Sequence, residues 1–140
     1  MTNPTNPTNQ PMLNFDSVTA PDFSVDPVGY YVWHLETHPE MYLAFRELAD
    51  RYAARLPNRR ISADMICHVL RYEVAMKAEG DSFAVNNNIT PLYARLYAKE
   101  RPTAKIDIRK SLLDALAFGD QVRLDRAFAR VREPRRGGAA

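Results

Sequence analysis

From residue 26 onward, apolar side chains recur mostly at three- and four-residue intervals, the spacing of helices with one buried face, and prolines mark where the helices begin. Asp26-Pro27 joins an N-cap residue to one preorganised for the first helical position. It predicts a helix from Pro27 through Tyr30, Tyr31, Trp33, His34 and Leu35 to about Thr37. Thr37-His38-Pro39-Glu40 has capping-box spacing and predicts a second helix from Pro39 to about Leu56. Its stripe is Met41, Phe45, Leu48, Tyr52 and Leu56, with Arg46, Glu47, Asp50, Arg51 and Arg55 on the other side. Ser62 caps a third helix, with Asp64 in its first turn. Met65, Ile66, Val69, Leu70, Tyr72, Val74 and Met76 form an apolar face too wide for a surface helix. This predicts a central helix that stops at Gly80. Thr90-Pro91 opens a fourth, with Leu92, Tyr93, Leu96 and Tyr97 inward and Arg101-Pro102 as its end.

Two stretches break the helical period. Arg59-Arg60-Ile61 reads as a brief extended link, and Lys105 to Arg109 alternates strictly, as a short strand does. Ser111 to Asp114 caps a fifth helix that stops at Gly119. Asp120 then caps a sixth, with Leu124, Phe128 and Val131 inside. The expectation is a mainly α, multi-helix domain over residues 27–132, with one or two short strands. The order of elements is that of a divergent winged-helix or helix-turn-helix domain, although the Asp81–Ile89 loop is long for a tight one. Residues 1–26 open on a Thr-Asn-Pro repeat without apolar periodicity and are expected to be a disordered leader. Residues 133–140 are expected to be a flexible basic tail.

Composition adds exclusions. The 140 residues are 46% hydrophobic and 26% charged, enough for one domain with a core. No apolar run reaches membrane-spanning length, and no basic-then-apolar signal pattern is present at the start. The lone Cys67 has no partner for an internal disulfide, so a reducing, cytoplasmic setting is expected. No cofactor motif occurs. The formal net charge of +2 is unevenly spread: residues 1–27 carry −3, residues 28–90 carry −1 and residues 91–140 carry +6. An anionic partner is therefore expected on the last third.

The run Phe83-Ala84-Val85-Asn86-Asn87-Asn88-Ile89-Thr90-Pro91-Leu92-Tyr93-Ala94-Arg95 resembles a family of small uncharacterised proteins of bacteria and their phages. There a Phe-x-hydrophobic-Asn run leads into a Pro-x-Tyr-Ala-Arg helix, and the similarity extends in kind to Trp33, His38-Pro39 and Ser62-Ala63. The resemblance implies a phage or prophage setting and brings no catalytic residues.

Several constellations are chemically suggestive. Asn86, Asn87 and Asn88, before a helix starting at Thr90, suit a phosphate at a helix N-terminus or adenine in a major groove. They equally suit a structural turn in which Thr90 is only a cap. Arg95, Lys99, Arg109 and Lys110 would extend a phosphate-binding surface, and Arg123, Arg126 and Arg130 form a basic stripe at helical spacing. The same arginines could be a solvated face paired with Asp114, Asp120 and Asp125. Phe15, Phe23, Tyr30, Tyr31 and Trp33 are the alternative set, aromatic anchors for a host or phage protein. A helix pair left half-covered would serve that role too and would permit a homodimer. His34 and His38 share the i, i+4 spacing of metal-binding pairs, but no third ligand is identifiable and Glu36 is misplaced for hydrolysis. The expected function is thus a non-catalytic DNA-binding or DNA-associated protein, with a protein-interaction module as the alternative.

Overall fold

Residues 20–77 and 87–132 are described by a computed structural model of the chain, in which prolines open three of five α-helices. These are α1 (Pro27–Thr37), α2 (Pro39–Arg55), α3 (Ala63–Lys77), α4 (Thr90–Glu100) and α5 (Phe118–Arg132). One 3-10 turn, Leu112–Ala115, precedes α5.

The helix starts follow local chemistry. The Asp26 carboxylate accepts a hydrogen bond from the Gly29 amide at 3.0 Å, and Ser62 Oγ accepts from Met65 at 3.2 Å. The second helix begins differently from the capping-box expectation. His38, not Thr37, flanks it and makes no side-chain cap; the same residue also ends α1, its amide donating to the His34 carbonyl at 2.8 Å. With one residue between the helices, there is no separate capping position. Ile89 flanks α4, and Thr90 is its first helical residue. The Gly80 stop lies outside the described residues.

The region after α4 also departs from expectation. Ser111 and Asp114 do form a reciprocal capping box, with both bonds at 3.0 Å. It starts only the 3-10 turn; the backbone is extended again at Leu116, and Gly119 lies in the first turn of α5. A Cβ at Gly119 would meet nothing within 4 Å. Gly119→Ala is therefore expected to stabilise the fold by about 0.5 kcal/mol, read as a higher urea midpoint. The two extended stretches meet in a single parallel bridge, Ile61 to Ile106, closed by Ile61 N–H to the Lys105 carbonyl (2.7 Å) and Asp107 N–H to the Ile61 carbonyl (3.0 Å). Among the described residues that bridge is the whole of the β structure.

The central helix is α2, which touches all four others. Tyr42, Phe45 and Ala49 on it are fully buried. They meet Tyr93 and Tyr97 of α4 and Phe128 of α5 in a cluster of rings, with Phe45 to Tyr93 at 5.1 Å and Tyr42 to Phe128 at 5.6 Å between centroids. Tyrosine hydroxyls find partners at the core's edge: Tyr42 donates to Glu100 and Tyr97 to Asp50, both at 2.7 Å. Asp50 also takes two bonds from Arg101, which hold its carboxyl below the usual range. α1 packs on α5, and α3 flanks α2 and α4.

Candidate functional site

The basic residues singled out for phosphate binding are mostly engaged with carboxylates. Arg95 is half-buried and donates to Asp114 at 2.9 Å and to the Pro91 and Arg109 carbonyls. Lys99 meets Asp125 at 3.3 Å, Arg109 meets Asp64 at 2.9 Å, Arg123 meets Asp120 at 3.4 Å and Arg130 meets Glu36 at 2.6 Å. Five cations thus face five separate anions, on α1, α3, α5 and the 3-10 turn. Lys110 and Arg126 are exposed and make no ion pair among the described residues. Arg123, Arg126 and Arg130 do lie exposed on α5 opposite buried Leu124, Phe128 and Val131, as their spacing predicts.

The asparagine segment acts as a turn where it is described. Asn87 accepts from Arg71 at 3.2 Å, and the Asn88 carbonyl accepts from the Tyr31 hydroxyl at 2.8 Å. Asn86 lies outside the described residues. Thr90 is buried, and among the described residues its hydroxyl has no hydrogen-bond partner beyond the neighbouring Cys67 thiol. The starts of α3 and α4 share a cleft of about 440 Å³, but Asp64 and Asp107 line it together with Arg109. Its charges are compensated internally, Arg109 by Asp64 and Asp107 by Arg60.

The aromatic set is largely consumed within the fold. Tyr31 is buried, while Phe23, Tyr30 and Trp33 are half-buried. Phe23 meets Tyr30 and Tyr31 edge-on at 5.6 and 5.5 Å, and Trp33 lies against Tyr30 and His38. Phe15 lies outside the described residues. His34 is buried with Nε2 2.6 Å from the Tyr93 hydroxyl, and loss of water pushes its pKa down to about 3. Burial also pushes the Cys67 thiol up to about 11, away from nucleophilic character. Among the described residues, no group of three or more His, Cys, Asp or Glu side chains could hold a metal ion, and no helix is long and apolar enough to cross a membrane.

A different surface stands out. On α3, Ile66, Cys67 and Leu70 face the core. The same helix turns Met65 (38% exposed), Val69 (37%) and Tyr72 (64%) to solvent, at spacings of four and three residues. Of the wide apolar face read from the sequence, Ile66 and Leu70 are covered while Met65, Val69 and Tyr72 are not; the side chains of Val74 and Met76 lie outside the described ones. Leu48 and Tyr52 of α2, and Leu56 just past its end, join Met65, Ile66 and Val69 in an open, mainly apolar groove of about 540 Å³. Arg51 and Arg55 edge it, and neither makes an ion pair among the described residues. Among the described residues no Asp or Glu lines it. The signal was present in the sequence as the end of the α2 stripe, Tyr52 and Leu56, running beyond the core. No family model, curated protein or solved structure matches the chain.

Proposed function

We propose that the chain is a non-catalytic protein-interaction module whose docking surface is the outer face of α3 with the adjoining edge of α2. The observation that carries this reading is the exposed stripe Met65, Val69 and Tyr72 beside Leu56. Contiguous apolar surface costs solubility, and in monomeric proteins it commonly marks an interaction site. The titratable groups argue for binding rather than catalysis: His34 and Cys67 are buried and held in their uncharged forms.

Val69→Asp places a charge in the groove at a position already partly in water, so the fold is expected to keep its melting temperature within a few degrees. Affinity capture with the wild-type chain, using Val69→Asp as the matched control, should recover proteins that the variant does not. Identical recoveries with both would overturn the reading.

A second reading, a divergent winged-helix or helix-turn-helix-like DNA-associated protein in a phage setting, draws support from the exposed Arg123, Arg126 and Arg130 stripe. It requires most of the pairs described above to give up their carboxylates to phosphates. Binding to a generic duplex across a salt series tests it. A steep salt dependence that shrinks in the Arg123/Arg126/Arg130-to-Ala variant favours DNA, and no binding at low salt retires duplex binding.

A further inference from the structure

We infer that the groove between α2 and α3 receives an amphipathic helix of a partner protein, with acidic residues flanking its apolar stripe; this rests on the protein-interaction reading above.

The groove's shape favours a helix. From Leu48 to Arg55 along α2 the groove runs about 10 Å, and from Met65 to Val69 along α3 about 6 Å, with exposed Tyr72 about one turn beyond. Two helical turns of a ligand fit that length, presenting apolar side chains at i, i+3 or i+4, and i+7. The walls are apolar side chains of two helices whose backbone groups are already bonded within them. An extended strand laid there would leave its own amides and carbonyls without partners on one side, whereas a helix brings its backbone bonds with it.

The groove's charge selects the flanks. Arg51 and Arg55, one turn apart on α2, border the apolar floor, while Arg95, Lys99, Arg109, Arg123 and Arg130 are each paired with a carboxylate in place. Carboxylates spaced three or four residues apart on the incoming helix would meet both guanidinium groups. The same charges disfavour a second copy of this chain. A two-fold pairing sets the surface against itself, bringing four guanidinium groups into one interface with no groove-lining carboxylate among the described residues to offset them.

The test is a displayed library of helix-forming peptides about 16 residues long, selected on the full chain and counter-selected on Val69→Asp. The expected consensus has apolar residues at i, i+3 or i+4, and i+7, with Asp or Glu beside them. Synthetic peptides of that consensus should bind about tenfold more weakly to Arg51→Glu/Arg55→Glu, and the double variant should itself select basic flanks. Circular dichroism melts of both variants confirm that the fold is intact. A consensus with apolar spacing and no acidic preference overturns the acid-flanked helix while leaving the docking surface standing. No enrichment over the Val69→Asp control overturns the docking surface as well. Two further results would replace the partner by another occupant. One is concentration-dependent self-association in sedimentation that Val69→Asp abolishes. The other is a peptide of residues 10–20 of this chain outcompeting every selected sequence.

Discussion

Acidification from pH 7 to pH 4 is expected to cost the fold about 3 kcal/mol through His34 alone. In the unfolded chain this imidazole takes up a proton as the pH falls past its ordinary 6.5, whereas burial delays the same uptake in the folded chain to about 3. The unfolded state therefore binds more protons across that window. The stability is complete above pH 6.5 and is lost progressively as the pH falls toward 3. The carboxyls of Asp50 and Asp114 are held below their usual range by partners, so they add to acid sensitivity only at the lower end of the window. Urea midpoints measured from pH 7.5 to pH 4.5 should stay level to about pH 6.5 and then fall steadily for the wild type, and much less for His34→Gln. Equal slopes would assign the acid sensitivity to another group. The environment makes this a strong coupling: His34 is sealed beside Tyr93, with Trp33 and His38 covering it, and charging it would strand an imidazolium away from water.

Phe45→Ala is expected to destabilise the protein by about 4 kcal/mol, a large share of the stability of a domain this size. The ring is fully buried and touches Tyr42, Tyr93 and Tyr97, so its removal leaves a void bounded by rigid aromatic groups on α2 and α4. Such walls collapse poorly, which places the cost toward the upper part of the range for aromatic deletions. Urea denaturation should show a much lower midpoint or no folded baseline at 25 °C. Phe118, at 84% exposure, provides the contrast, since Phe118→Ala should change stability by no more than about 0.5 kcal/mol. Similar losses at both positions would contradict the assignment of the core.

The features legible in the sequence are those set within a few residues. Asp26-Pro27 marks the start of α1 to the residue, Ser62 caps α3 as expected, and Met41, Phe45 and Leu48 give the inward side of α2. What was hidden depends on partners far along the chain. The sequence leaves open whether Arg95 meets a phosphate or Asp114, and only the fold, by bringing Asp114 beside it, decides between them. Arg130 finds Glu36 from the opposite end of the domain. Alternation at Lys105 to Arg109 signals extended backbone, but not that only Ile106 pairs, and with Ile61. The breadth of the α3 face was visible, yet breadth alone does not say which half the other helices reach. Here α2 and α4 cover Ile66, Cys67 and Leu70, and Met65, Val69 and Tyr72 are left over.

The packing of α1 on α5 has a consequence for how the protein is made. Glu36 and Arg130 are 94 residues apart in sequence, so the first helix leaves the ribosome long before its cover exists. At roughly 5–20 residues per second, that interval is about 5 to 20 s. Throughout it Leu35 and Tyr42 lack the neighbours that Val131 and Phe128 later provide. A chain truncated before α5 is therefore expected to leave Leu35 and Tyr42 uncovered and to aggregate more readily than the full chain in light scattering.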